Sequence, residues 1–404
     1  MICMESLNDI DILNKELYNT KSVFIDEAKL SADFIPENLL FRTDHLRFLV
    51  NHFRGLFSQS NMNRGLLLTG AIGSGKTSIS KKFGAWAVNS GLKKKLEIKY
   101  IHINCRVNKT PFMIWLDIVK SLNSYIPNRG YSANELMNFV REIIVSKKYK
   151  LLITLDEIDF CSLDDISDLL YGLTRINDGI NNFNHSISLI LISRSSDYIK
   201  HIDASTKSSL TTANLHLEQY KKIELIGIIK DRAKIALNYN ALSNEAIILA
   251  AEITAKKGDA RQALELIWYA GKSADNEQSD TIFPEHIREA KSNIDPSLLR
   301  QTISDLSHSK LLLLVAIARS LIKTKKAYAT TGEVKNEYLM TCEEFESIAR
   351  KHTQMWEYLK EFEKYGIIFL KISGKKIRGN TQLISIQDVS AKDLERAVLR
   401  KLQS

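Results

Sequence analysis

Gly70-Ala71-Ile72-Gly73-Ser74-Gly75-Lys76-Thr77 fills the pattern G-x-x-x-x-G-K-[ST], and Ser78 follows it. Each residue type there has a chemical use. Glycines let successive backbone N–H groups turn toward a β-phosphate, Lys76 reaches the β- and γ-phosphates, and the Thr77 hydroxyl ligates magnesium. Downstream, the apolar run Leu151 to Leu155 ends on Asp156 and Glu157. Two carboxylates after a buried strand face the phosphate crevice at the sheet's C-terminal edge. Asp156 then holds a magnesium-water shell, with Thr77 as the second metal ligand, while Glu157 orients water for in-line attack. The implied cofactors are ATP or ADP and Mg2+.

These residues need a frame, and the hydrophobic pattern supplies one. Arg64 to Gly70, Leu96 to Asn104, Leu151 to Leu155 and Ser186 to Ser193 read as strands, and Thr77 to Ser90 as the helix after the loop. A further helix is expected around Leu46, Leu49, Val50, Phe53 and Leu56. Strands alternating with helices mean a doubly wound α/β domain with a parallel sheet. After about Leu217 strand signals stop, and Ile223 to Leu237, Asn244 to Ala255 and Asp259 to Gly271 read as helices of a separate domain. Ser292 to Pro296 is the expected linker.

Beyond it come three helices, Lys310 to Lys323, Thr341 to Lys351 and Thr353 to Tyr365, the last ended by Gly366. Met355, Leu359, Phe362 and Tyr365 form the inner face of the third. Two strands, Ile367 to Ile372 and Gln382 to Ile386, flank a basic hairpin tip, Ser373 to Asn380. Helices followed by a basic hairpin describe a winged helix, with Lys375, Lys376 and Arg378 near DNA phosphates and Thr353 and Gln354 at base edges. The third helix exposes Gln354, Glu357, Lys360, Glu361 and Lys364, a mixed face on which Glu357 and Glu361 oppose deep insertion into DNA.

The balance of 44% hydrophobic and 25% charged residues over 404 positions suits two or three packed domains. Four separated cysteines suggest neither a zinc site nor a disulfide framework, so a reducing cytosol fits. With no basic-then-apolar leader, and Leu311 to Ala318 as the longest apolar run, no membrane partner is expected. Net charge is +9, and residues 297–404 carry 19 Lys and Arg against 12 Asp and Glu, an excess that attracts polyanions such as nucleic acid.

The chain resembles the archaeal origin-recognition and helicase-loading initiators, AAA+ relatives of the eukaryotic origin recognition complex. Besides the P-loop and Leu155-Asp156-Glu157-Ile158-Asp159, the likeness rests on several stretches in the family's order. They are Asn104-Cys105-Arg106, Leu170 to Asn177, Lys207-Ser208-Ser209-Leu210, Gly258 to Leu264 and Thr331-Gly332-Glu333-Val334. The resemblance implies an α/β P-loop AAA+ domain with a parallel sheet over residues 1–217, carrying an initiator-specific insertion at about 160–185. A helical lid over 218–296 and a C-terminal winged-helix domain over 297–404 complete it. It also implies that Phe34, Ile35 and Pro36 form an adenine-side loop, that Tyr220 and Arg232 line the nucleotide, that Arg261 is a second sensor, and that Arg175 in the insertion touches DNA. The implied partners are double-stranded origin DNA, a replicative MCM-type helicase and related initiator subunits, met at the nucleoid in the cytoplasm.

Two departures fall on γ-phosphate chemistry. The family's sensor asparagine reads Arg194 in Ile192-Ser193-Arg194-Ser195, and the arginine finger's Asp-Pro-Arg reads Asp203-Ala204-Ser205. Losing such a finger slows hydrolysis by roughly a thousandfold or more. An ATPase with slow turnover is therefore expected. A winged-helix regulator that binds ATP structurally without cycling, and a remodeller acting on protein, are the alternatives.

Overall fold

A computed structural model describes residues 22–58, 64–123, 126–127, 130–176, 186–195, 212–294, 306–365, 367–372, 382–386 and 390–403. They fall into two units. One comprises Ile35–Tyr220 and Lys257–Ala260; the other takes in the described residues of Met1–Phe34, Lys221–Lys256 and Arg261–Ser404.

The first unit is built on a parallel five-stranded sheet of order β2-β3-β4-β1-β5. Its strands are β1 (Arg64–Gly70), β2 (Ile98–Asn104), β3 (Lys150–Asp156), β4 (Ser186–Ile192) and β5 (Thr212–Leu217). The register aligns Leu68 with Ile192, Leu155 with Leu191 and Asn104 with Asp156. Every residue of β3 and β4 is buried, because both sheet faces are covered. Leu67, Ile153 and Leu155 meet Trp115, Val140 and Leu169 on one face, while Leu66, Leu68 and Ile190 meet Phe53, Ile79 and Phe83 on the other. The edge strand β5 is not expected from the apolar pattern: Thr212-Ala213-Asn214-Leu215-His216-Leu217 pairs only with β1 and lacks an apolar run.

Local signals set the helix ends. α1 (Thr43–His52) stops short of Leu56, which lies in a following 3-10 turn. α2 (Lys76–Lys93) starts after Gly75, whose left-handed φ of 91° suits glycine. α3 (Pro111–Leu122) starts with a proline at its first turn and Thr110 capping Met113 N. Ser132 and Glu135 close a capping box on α4 (Ala133–Lys147), and Ser162 caps α5 (Leu163–Arg175).

In the second unit lie α6 (Lys222–Ala236), α7 (Asn244–Ala255), α8 (Ala260–Asn276, with Ala260 itself in the first unit) and α9 (Pro284–Ile294). The expected linker is corrected here: Ser292 to Ile294 continue α9, and residues 295–305 lie outside the described set. Phe24 bridges Leu237, and its ring fills the space a Cβ on Gly271 would take. Next come α10 (His308–Thr324), α11 (Thr331–Glu344), α12 (His352–Lys364) and α13 (Ala391–Gln403), with an antiparallel sheet of order β6-β8-β7. Its strands are β6 (Ala329–Thr330), β7 (Phe369–Ile372) and β8 (Gln382–Ser385).

The expected helix over Thr341 to Lys351 is also corrected. A capping box between Thr330 and Glu333 starts α11 ten residues earlier, and Glu346, at φ 48°, lies past its end. α13 packs on α10 through Leu394 and Val398.

One side chain ties α9 to the C-terminal helices. Arg288 is fully buried, donating from Nε to Ile386 O at 3.0 Å, from Nη1 to Glu285 Oε2 at 3.0 Å, and from Nη2 to Lys326 O at 3.1 Å and Ala327 O at 2.9 Å. Lys371 of β7 pairs with Glu252 of α7 at 2.9 Å. Among the described residues, no helix is long and apolar enough to cross a membrane.

Candidate nucleotide site

The loop between β1 and α2 turns on glycines that nothing larger can replace. Gly73 has φ 74°, and a Cβ there would lie 1.8 Å from Asp259 Oδ1 and 2.8 Å from Asp259 Cα. A Cβ on Gly70 would lie 2.5 Å from Leu217 O. Beyond the loop, Ala260 N donates to Gly73 O at 3.3 Å, so the first residue of α8 is seated on it. Lys76 Nζ reaches back to the carbonyls of Gly70 (2.7 Å) and Ala71 (2.8 Å), which holds its ammonium over the loop. Ser74 Oγ is buried without a hydrogen-bond partner. Ser78 is half-buried in the first turn of α2, a turn that contains no acidic residue of its own.

Thr77 Oγ1 donates to Asp156 Oδ2 at 2.7 Å, while Asp156 Oδ1 is buried without a partner. Two hard oxygen donors thus converge and one carboxylate oxygen has unused capacity, which fits magnesium. His102 Nε2 also lies 3.4 Å from Asp156 Oδ2, and Tyr100 OH is 3.3 Å from His102 Nδ1. Burial pushes the Asp156 carboxyl up, but hydrogen bonds from His102 and Thr77 and the His102 charge outweigh that and hold it below the usual value. Glu157 adopts φ 57°, ψ 45°, a left-handed backbone uncommon outside glycine, and its side chain is half-buried.

Arg194, at the position that the resemblance assigns to the sensor, is directed to the turn after β3. Its N–H donates to Asp159 Oδ2 at 3.1 Å and its guanidinium sits 5.5 Å from the centre of the Phe160 ring. Ser205 lies outside the described residues.

Of the residues implied for the adenine side, Ile35, Pro36 and Tyr220 belong to the unit that carries the loop. Pro36 O accepts from Lys82 Nζ at 3.3 Å, Ile35 is half-buried, and Tyr220 OH lies 3.0 Å from the point a Cβ on Gly75 would occupy. Tyr220 N donates to Gly258 O at 3.3 Å. Arg232 and Arg261 belong to the other unit. Arg232 is buried, donates to Lys29 O at 2.6 Å and Phe34 O at 2.8 Å, and lies 4.7 Å from the centre of the Phe34 ring. Arg261 lines a cavity of about 430 Å³ with Glu27, Leu30, Glu265 and Trp268.

His102 and Arg42 go unread in the sequence. His102 carries little signal, being one of three polar residues of β2 with Lys99 and Asn104. Arg42 carries none, since the partners that place it at the loop, Ser74 O and Glu218 O, are distant backbone carbonyls.

Among the residues expected at DNA, Thr353 and Gln354 are exposed in the first turn of α12. Arg175 ends α5 with its guanidinium 4.8 Å from the centre of the Tyr171 ring. Lys375, Lys376, Arg378 and Gly366 lie outside the described residues. Two details of the α12 face are corrected. Tyr365 is 49% exposed, whereas Met355, Leu359 and Phe362 are buried. Glu361 is half-buried against Lys310 at 2.7 Å, so its charge is compensated within the protein.

Three family models match the chain: an AAA domain over residues 61–196, the Cdc6 AAA+ ATPase-type lid domain over 226–292, and the CDC6 C-terminal winged helix domain over 301–397. The crystal structure of Cdc6p from Pyrobaculum aerophilum superposes with a TM-score of 0.79 at 24% identity, covering 95% of this chain and 99% of that one. The Aeropyrum pernix ORC1 protein in complex with DNA gives 0.62 at 24% identity, covering 94% and 97%. The fold is therefore a P-loop AAA+ domain with a lid and a winged helix. ORC1-type DNA replication protein 2 of Sulfurisphaera tokodaii is 31% identical over 410 residues, 99% of this chain and 98% of that protein. Likeness of that extent, end to end, places the chain in the ORC1/Cdc6 family of AAA+ DNA replication proteins.

Proposed function

We propose that this protein is an ATP-dependent replication initiator that binds origin duplex DNA and helps recruit the replicative helicase, an MCM-type enzyme. The Thr77–Asp156 contact with its unpartnered Oδ1 carries the nucleotide half of this reading. Thr77 and Asp156 would hold the ion, which when bound neutralises charge on the β- and γ-phosphates. The loop N–H groups and Lys76 bind the phosphates, Ile35, Pro36 and Tyr220 flank the base, and Arg232 and Arg261 act from the lid. Glu157 orients the attacking water. On DNA, Thr353 and Gln354 face bases, and Lys375, Lys376, Arg378 and Arg175 meet phosphates. Relatives of the same architecture, one of them in complex with DNA, support this assignment.

The second reading is a DNA-bound regulator that keeps ATP as a structural ligand. The seat of Arg194 beside Phe160 favours it, because a guanidinium cannot accept the hydrogen bond that an asparagine can. Single-turnover hydrolysis, with and without origin-region duplex, separates the two. Slow cleavage supports the initiator, and bound ATP that is never cleaved supports the regulator. Lys76→Ala tests the site itself: retained ATP affinity in that variant would sink the assignment. Co-purification with an MCM-type helicase tests recruitment.

A further inference from the structure

We propose that Arg42 is a positioning residue of this nucleotide site, one that aims the Gly75 N–H at the phosphates and whose buried charge is completed by them. The inference rests on the nucleotide reading above. Arg42 is 4% exposed, immediately before α1. Its Nε and Nη2 donate to Ser74 O at 3.2 and 2.9 Å, Nη2 also donates to Glu218 O at 2.9 Å, and Nη1 donates to Phe41 O at 3.3 Å. The guanidinium carbon lies 3.9 Å from the centre of the Tyr220 ring.

Every hydrogen-bond acceptor is a carbonyl, and among the described residues no Asp or Glu pairs with Arg42. A buried cation that meets dipoles but no carboxylate is costly, and an anion nearby would relieve that cost. Phe41 pays part of the placement, with φ 60°, a backbone that bulky residues avoid.

Ser74 O is the informative partner. No described peptide bond is cis. Across a trans peptide the C=O of one residue and the N–H of the next point in opposite directions. Gripping Ser74 O therefore turns Gly75 N–H the other way, away from Arg42. That N–H belongs to the stretch that wraps a β-phosphate. The Tyr220 ring covers the guanidinium, with its hydroxyl beside Gly75. Arg42 thereby fixes a peptide plane, and its positive charge adds to the field of the loop.

The test compares Arg42→Met and Arg42→Lys with the unaltered chain, using calorimetric binding of ADP and ATP and hydrogen exchange at saturating ADP. Arg42→Met is expected to weaken ADP and ATP equally, by about tenfold to a hundredfold, because both carry the β-phosphate. Arg42→Lys keeps the charge but not the planar fork and should fall between. At saturation, exchange should rise in the peptide spanning 73–77 and stay unchanged in β3. Affinities within twofold, a loss confined to ATP, or exchange raised throughout the sheet would each overturn the proposal. Should Arg42→Met not fold, Arg42→Lys alone decides, since unchanged affinity there overturns it. If the unaltered chain binds neither nucleotide, the nucleotide reading falls too; if it binds both and Arg42→Met matches it, only the Arg42 inference falls.

Discussion

Gly73→Ala should uncouple the phosphate loop from the start of α8. The added methyl would sit 1.8 Å from Asp259 Oδ1, which a side-chain rotation can relieve, but also 2.8 Å from Asp259 Cα, which it cannot. Holding alanine at φ 74° adds about 1–2 kcal/mol of left-handed strain. Overpacking adds about 1–3 kcal/mol. Moving Asp259 aside also breaks the Ala260 N to Gly73 O bond, net about 1 kcal/mol. After partial relaxation the loss should be about 2–5 kcal/mol, a fall of about 4–20 °C in unfolding temperature for a body of roughly 150–250 residues. Thermal unfolding with and without ATP reads the stability, and calorimetry should record at least about tenfold weaker binding, the equivalent of about 1.4 kcal/mol. Adding Asp259→Gly removes the Oδ1 and Cγ contacts but leaves that with Cα, and should restore only part of the loss. A single variant that unfolds within about 2 °C of the parent and binds ATP normally would refute the reasoning.

Asp156→Asn should lose most of the magnesium dependence of nucleotide binding, seen as a flat magnesium titration; an unchanged titration would remove Asp156 from the metal site. Replacing Lys375, Lys376 and Arg378 by alanine should weaken duplex binding and lower its salt slope by up to about 3, and equal affinity would clear the wing. Acid should destabilise the fold through particular carboxylates. Arg319 draws Glu344 below the ordinary 4.5, and at Glu27 burial acts upward but is outweighed by Lys272 and Trp268. Groups depressed in the folded state stabilise it above their unfolded value and lose that contribution as pH falls through the folded one. Unfolding temperature should therefore drop as pH is lowered below about 4.5, and Glu344→Gln should flatten the drop slightly, since that side chain is half exposed. A profile steeper in Glu344→Gln than in the parent would contradict this sign.

β1, β3 and β4 could be read because a strand covered on both faces must be apolar along its length, and β2, although an edge strand, still buries Ile98, Ile101 and Ile103. β5 could not, since an edge strand tolerates Asn214 and His216 and is recognised only by its partner β1. α11 starts ten residues before the expected helix for a similar reason: the Thr330–Glu333 capping box that begins it is a short polar signal of only a few hydrogen bonds, weaker in sequence than the apolar pattern after Thr341. In the site, the phosphate loop and Asp156 were legible because their chemistry demands residue types at fixed spacing. His102, Arg42 and Asp259 act through distant partners. An arginine 32 positions from the carbonyl it grips leaves no local trace.

Arg288 places the joint of this molecule somewhere other than where sequence comparison divides it. The lid and winged-helix family models part between residues 292 and 301, yet the guanidinium on the lid side of that gap donates to Lys326, Ala327 and Ile386 on the other. A chain cut at that gap would leave a charged arginine facing carbonyls that are no longer there, and would bare Glu285 beside it. The excised lid should consequently be less stable than the same helices in the intact chain, having lost those hydrogen bonds. Exchanging winged helices between relatives should succeed only when the three carbonyls travel with a compatible residue at 288. Modular in sequence, the two parts are joined by a buried side chain.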